Sequence, residues 1–291
     1  MTIRLIQVPY DSGHRARRMG RGPLHLVEAG APDCLGRSAP VSVIPIELSA
    51  SFPTEIGTAF ELHRAVAVAT SEAVRNGALP LVLSGNCNAS LGTVAGIQDA
   101  GTRDGLGVVW FDGHGDSNTP ETFSGTFLDA MGLSTLTGRC WQALTATVPG
   151  FHPVVDEAVL LVGAHGIDSG ARGVLAASRI GWVQAAELHA CDPAEALGPS
   201  LDRLAAQGVT RLYLHLDVDV LDKCYAAANE FAREDGLLPD QLARCVGAVL
   251  KRFEIAAAGV ASYDPSLDEQ GRVCGVAIRF LEAVAHARFP P

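Results

Sequence analysis

Short apolar runs recur along the chain, and most leave room for a helix before the next. Residues 2–8 (TIRLIQV), 41–47 (VSVIPIE), 79–84 (LPLVLS), 106–111 (LGVVWF), 158–163 (AVLLVG), 181–184 (GWVQ), 211–216 (RLYLHL) and 258–262 (AGVAS) are mostly apolar on both faces. A strand solvated on one face alternates apolar with polar, whereas one covered on both reads as a continuous run. The pattern predicts a three-layer α/β/α domain spanning 1–291, with a central parallel sheet of about eight strands.

Two intervening helices are readable in detail. Over 192–207, Asp192 can cap, Pro193 suits the first turn, and Glu195 is placed to complete a capping box. Leu197, Leu201 and Leu204 then share one face, and Gly208 ends the helix. Over 237–252, Leu242, Cys245, Val246, Val249 and Leu250 follow the same 3.6-residue period.

Ligands of open parallel sheets bind beyond the carboxyl ends of the strands. Three runs lead into polar residues there: 79–84 into GNCNAS (85–90), 106–111 into DGHGDSN (112–118), and 211–216 into DVDVLD (217–222). If each strand persists, residues two apart share a face, so Asp112, His114 and Asp116 converge, as do Asp217 and Asp219. Four carboxylates carry too much charge for one divalent ion but match two. A pair of ions about 3.5–4 Å apart makes a shared water acidic enough to act as a nucleophile near neutral pH. Oxygen-rich coordination with one imidazole favours Mn²⁺ over Fe²⁺, Zn²⁺ or Ni²⁺.

Composition narrows the partners. The 291 residues are 48% hydrophobic and carry a formal net charge of −10, which opposes a nucleic-acid or anionic-membrane surface. The basic stretch HRARRMGR (14–21) reads as a solvated loop, with steering of an anionic substrate as the alternative. Nothing approaches a membrane span, and the start reads as a strand and not as a signal segment. Seven cysteines, odd in number and without a CxxC pair, fit a reduced, cytoplasmic setting. No interface can be told from core, so the oligomeric state stays open.

DGHGDSNTP (112–120) and DVDVLD (217–222), in this order and after these strands, resemble the arginase–agmatinase–formiminoglutamase (ureohydrolase) superfamily. GRGPLHL (20–26) resembles its early Gly-Pro signature and GAHGID (163–168) its substrate-binding loop. The likeness spans nearly the whole chain. It implies eight parallel strands, a dinuclear Mn²⁺ cluster, and hydrolysis of a guanidino or related C–N bond in a small molecule. By that resemblance Asp112 and Asp217 bridge the ions, Asp116 completes one shell, and His114 and Asp219 complete the other. Asn118 and Ser124 match positions receiving an amino acid's carboxylate, and Asp168 a carboxylate facing its ammonium group.

Three departures from the family pattern are visible. Its Gly-Gly-Asp-His stretch is replaced by Ser84-Gly85-Asn86-Cys87, which puts Cys87 at a ligand position, as in the hydroxyarginine amidinohydrolase branch; the alternative is an inert buried cysteine beside a five-ligand site. A thiolate there would weaken the metal as a Lewis acid and soften the site toward Zn²⁺ or Fe²⁺. Where arginases place a proton-shuttling histidine, SGTFLDAMG (124–132) offers Asp129, which reads equally as a shuttle with a raised pKa or as an ordinary helix-start Asp. Where a Glu grips the substrate guanidinium, VASYDPSLD (260–268) offers Ser262, a neutral hydroxyl without a charge-assisted contact.

Of two further histidines, His215 is read as out of phase with the inward acids, hence as a packing or hydrogen-bonding residue, and His165 stays undecided. The expectation is a dinuclear-metal hydrolase of an arginine derivative, with N-hydroxy-L-arginine, cleaved to ornithine and hydroxyurea, as the sharpest candidate. The rivals are a hydrolase of another small guanidino or formimino compound and a catalytically silent metal-binding relative.

Overall fold

The computed structural model describes residues 2–48, 54–125 and 127–290. Ten strands are present among them: β1 (Ile3–Val8), β2 (Tyr10–Asp11), β3 (His14–Arg15), β4 (Val41–Pro45), β5 (Leu79–Ser84), β6 (Leu106–Phe111), β7 (Val159–Ala164), β8 (Gly181–Gln184), β9 (Arg211–Asp217) and β10 (Glu254–Ala261). Eight form one sheet in the order β4-β1-β5-β10-β9-β6-β7-β8, and every pairing in it is parallel. The eight apolar runs thus become eight strands, with ends moved by a residue or two and β10 starting four residues earlier than 258. β2 and β3 make a separate antiparallel pair that the pattern did not announce.

Fully buried side chains such as Leu81, Val108, Trp110, Leu214 and Val260 fill both faces of the central strands, as the continuous apolar runs require. The helix Ser90–Asp99 packs against Glu55–Arg75 at close range, because Gly92 and Gly96 leave room for the His63 and Ala67 carbonyls where a Cβ would overlap them. Pro193–Ala206 starts at Asp192, whose carboxylate accepts from the Ala194 and Glu195 amides at 2.9 and 3.2 Å. Among the described residues Glu195 makes no return bond, so the expected capping box is only half formed. The second read helix runs Pro239–Leu250 and buries the predicted face. No helix among the described residues is long and apolar enough to cross a membrane.

The four central strands β5, β10, β9 and β6 are consecutive in the sheet, and their carboxyl ends carry Cys87, Ser262, Asp217 with Asp219, and Asp112 with His114 and Asp116. Residues 175 positions apart in sequence therefore become neighbours: Cys87 Sγ lies 3.3 Å from Ser262 Oγ.

Candidate metal centre and substrate cavity

The acids do converge, but not by strand pleating. β6 ends at Phe111, and the loop that follows folds Asp112, His114 and Asp116 together, with Asp116 in the left-handed region at φ 45°. β9 ends at Asp217, and a 3-10 turn over Val218–Val220 brings Asp219 back, its amide donating to Asp217 Oδ1 at 2.8 Å. The spacing pointed to the right residues, but turns replace the extended chain because the carboxylates must bond local amides. His114 N donates to Asp112 Oδ1 at 2.6 Å and Gly113 N to Asp219 Oδ1 at 3.2 Å.

Two sets of donor atoms result, each lying within 4.8 Å of one another: Cys87, Asp112 and Asp116, and Asp112, His114 and Asp219. They share Asp112. Asp217 joins the first, accepting from Cys87 Sγ at 2.8 Å. Burial, then Asp112, Asp129 and Asp217, pushes Asp116 well above the usual carboxylate range; burial, then Asp219 and Asp112, does the same to Asp217. Burial and Asp217 likewise push the Cys87 thiol up. His114 lies 3.3 Å from Asp219 Oδ2, and Asp219 and Asp112 raise its pKa to about 12 against the opposing effect of burial.

A cavity of about 280 Å³ opens on this cluster and is lined by His114, Asp116, Asp217, Asp219, Asp129 and Ser262 at one end and Asn118 and Asp168 at the other. Asp168 caps the helix Ser169–Ala176 through Oδ1 and accepts from Asn118 Nδ2 at 2.8 Å through Oδ2. Those bonds hold its pKa below the usual range against burial. Phe127 and Phe231, stacked with centroids 5.2 Å apart, and Phe123 give the cavity an apolar wall.

A model of the arginase family matches residues 1–286. The chain belongs to the arginase family. An arginase from Bacillus caldovelox is 27% identical over 298 aligned residues, 96% of each chain. The N(omega)-hydroxy-L-arginine amidinohydrolase of Streptomyces lavendulae is 29% identical over 223 residues, 77% of this chain and 74% of that one. The solved structure of the B. caldovelox arginase superposes with a TM-score of 0.87 at 25% identity, covering 98% of both chains.

Members of the arginase family are metal-dependent amidinohydrolases with a dinuclear centre, and the donor set fits two cations. Three buried acids, half-buried Asp116 and a thiol crowd one spot, and the two donor groups share one carboxylate as a bridged pair of ions requires.

The other residues singled out from the sequence fall as follows. Ser124 is exposed and outside the cavity lining. Asp129 is buried and stands in the first turn of a 3-10 helix, Leu128–Met131, yet its carboxylate serves a different segment. It accepts from the Asn88 amide at 2.7 Å, the Cys87 amide at 2.9 Å and Asn86 Nδ2 at 3.0 Å. Burial raises its pKa to about 7 despite these donors, which hold it in place against the backbone that carries Cys87. His165 lies behind the metal loop, its Nδ1 2.9 Å from the Gly163 carbonyl and its Nε2 without a partner among the described residues. Arg18 of the basic stretch is tied to buried Asp11 at 2.8 Å and to Glu230 at 2.6 Å, so this part of the loop is structural.

His215 is a hydrogen-bonding residue, as expected, but its phase needs correction. It precedes Asp217 by two residues and shares its face of β9, and its Nε2 lies 3.1 Å from Cys87 Sγ. It is a hydrogen-bond partner of Cys87, in phase with the acids. Sequence reasoning missed Asn229, which donates to Asp219 Oδ2 at 3.1 Å and to the Ser262 carbonyl at 2.9 Å. It also missed Arg233, an exposed cation on the cavity lining, and the bond from Trp110 Nε1 to Asp112 Oδ2 at 2.8 Å. Only Trp110 left a signal, since it stands two residues before Asp112.

Proposed function

We propose that this protein hydrolyses N-hydroxy-L-arginine to ornithine and hydroxyurea with two divalent cations, Mn²⁺ foremost, held by Cys87, Asp112, His114, Asp116, Asp217 and Asp219. The bound ions supply the Lewis acidity that makes water nucleophilic near neutral pH. The chain's own groups orient the substrate. Asn118 and Arg233 receive the α-carboxylate, Asp168 faces the α-ammonium group, and the phenylalanine wall covers the aliphatic stem. Asp129 lies at the metal end, where a proton must reach the departing amine.

The observation that carries the substrate assignment is the pairing of Cys87 with Ser262, both buried, at the metal end of the cavity. A guanidinium of pKa above 12 needs a carboxylate partner to offset its desolvation, and Ser262 supplies none. N-hydroxylation lowers that basicity and adds an oxygen that a hydroxyl can contact. The resemblance to the Streptomyces lavendulae enzyme supports the same reading. A small guanidino compound without an amino-acid head would have no group to meet Asp168, Asn118 and Arg233 on the cavity lining.

The test is side-by-side kinetics on the Mn²⁺-loaded protein. We expect kcat/KM for N-hydroxyarginine to exceed that for arginine by about tenfold or more, ~1.4 kcal/mol of differential transition-state binding. Equal values would overturn the substrate assignment, and no turnover of either by the fully loaded protein would overturn the reaction.

A further inference from the structure

Behind the cysteine runs a hydrogen-bonded chain that the proposed reaction does not use. His215 Nε2 lies 3.1 Å from Cys87 Sγ, and its Nδ1 lies 3.0 Å from the Tyr213 hydroxyl and 3.1 Å from Ser90 Oγ. Those two hydroxyls are 2.8 Å apart. The imidazole stacks on Trp110 with centroids 3.8 Å apart, and Trp110 in turn donates to Asp112. His215, Tyr213 and Ser90 are all buried. Gly259, paired with His215 across the sheet, makes room for the Tyr213 hydroxyl, since a Cβ there would overlap it. A buried polar chain with every member satisfied holds its geometry tightly.

The donors and acceptors of this chain assign one arrangement. Cys87 S–H donates to Asp217 Oδ2 at 2.8 Å, so the bond between sulfur and His215 is one that sulfur accepts. His215 therefore carries its hydrogen on Nε2, and Nδ1 accepts from Tyr213 or Ser90. Neither Cys87 nor His215 lines the cavity, which rules the pair out as an exposed nucleophile and its base.

We propose that His215 is a positioning residue for Cys87, its Nε2–H fixing the direction of the sulfur and dispersing the thiolate's charge when Cys87 takes a metal. This rests on Cys87 being a ligand. A hydrogen bond to a thiolate is charge-assisted, and partners of metal ligands set both orientation and affinity.

Cobalt(II) loading tests this without turnover. The parent should show a near-ultraviolet thiolate-to-cobalt band that Cys87→Ser removes. His215→Phe should shift or weaken that band and raise the Kd of one of the two ions about 10–100-fold, leaving the other within about threefold. His215→Gln, whose amide reaches the same donor position, should recover most of both. A parent band indifferent to His215→Phe, or a His215→Gln no better than His215→Phe, overturns the proposal while leaving Cys87 a ligand. A parent with no band that Cys87→Ser removes overturns the ligand reading and the proposal with it. Should His215→Phe fail to fold, Tyr213→Phe, which removes a donor to Nδ1, must move the band in the same direction; an unchanged band there is equally fatal.

Discussion

The two halves of the metal cluster share Asp112 but manage crowded acids in opposite ways. On the His114 side the charges pair internally: Asp219 and Asp112 keep the imidazole protonated, and His114 in return brings Asp219 down to about 2 despite its burial. On the Cys87 side no cationic side chain among the described residues pairs directly with the acids, so burial and mutual repulsion push Asp116, Asp217 and the thiol well above their usual ranges. One half is an ion pair awaiting exchange of a proton for a metal, and the other is a set of crowded acids and a thiol whose protons compete with a metal. The three departures from the family pattern, Cys87, Ser262 and Asp129, all fall at or beside the second half. Relative to the family pattern that half is rebuilt, while the other shows no departure.

The sharpest way to break this comparison is to remove what the halves share. Asp112→Ala, and Asp217→Ala if it bridges as the family pattern implies, should lower metal content from two equivalents to near zero. The accompanying fall in kcat/KM should be about a thousandfold or more, ~4 kcal/mol of barrier. Elemental analysis after Mn²⁺ loading and desalting checks it. An Asp112→Ala protein that keeps one equivalent would show the halves to be independent sites.

Substitutions confined to one half should separate them. Cys87→Ser should weaken one ion about 10–100-fold and leave the other, whereas Cys87→His should retain both and raise Mn²⁺ affinity, because neutral imidazole needs no deprotonated sulfur. Titration calorimetry resolves the two events. Two unchanged affinities in Cys87→Ser would make the cysteine mere packing.

The contrast between the halves also marks how far the sequence could be read. The eight strands were legible because continuous apolar runs have few alternatives, and the convergence of Asp112, His114, Asp116, Asp217 and Asp219 because acids and a histidine stand two apart just past strand ends; Cys87 was singled out only through the resemblance. Turn geometry was not legible: Asp116 stands at positive φ with its carbonyl accepting from the distant Leu133 and Ser134 amides, and the 3-10 turn after Asp217 is held by a side-chain bond within the turn that no periodicity encodes. Asn229, Arg233 and the His215–Tyr213–Ser90 chain were missed for a similar reason. Asn229 and the histidine chain join residues up to 125 positions apart, and nothing periodic connects them, or Arg233, to the acids. Asp129 is the intermediate case, correctly placed at the site but holding the Cys87 backbone in a way no local pattern encodes.

Ser262 gives a smaller and more specific test of the rebuilt half. Ser262→Glu should narrow the preference for N-hydroxyarginine over arginine by about tenfold, since a carboxylate would again pair with a fully charged guanidinium. Ratios of kcat/KM for the two substrates report it directly, and an unchanged or widened ratio would place substrate selection elsewhere in the cavity. Ser262 itself sits at φ 64°, and the new side chain inherits that left-handed backbone, so comparison with Ser262→Ala is needed to separate strain from charge.

The smallest effect is on stability, and its sign follows from the same asymmetry. Asp129 is raised to about 7, and Asp116 and Asp217 lie well above the value near 4 that they take in an unfolded chain. The metal-free folded protein thus keeps protons that the unfolded chain has released, so these groups contribute stability below pH 4 that is lost as pH rises through their folded values. His114, raised to about 12, acts in the same direction above its unfolded value of 6.5. Asp219, lowered to about 2, acts oppositely, but only below 3.8. Between pH 5 and pH 8 the metal-free protein should therefore lose stability with rising pH, with Tm falling by about 5 °C or more. Metal ions replace the protons, so the loaded protein should show less than half that fall. Thermal scans of chelated and reloaded protein across the window decide the matter, and Asp129→Asn should flatten the metal-free slope. A metal-free Tm that holds or rises from pH 5 to pH 8 would mean that the Cys87 half is solvated and carries its acids ionised, erasing the difference between the two halves.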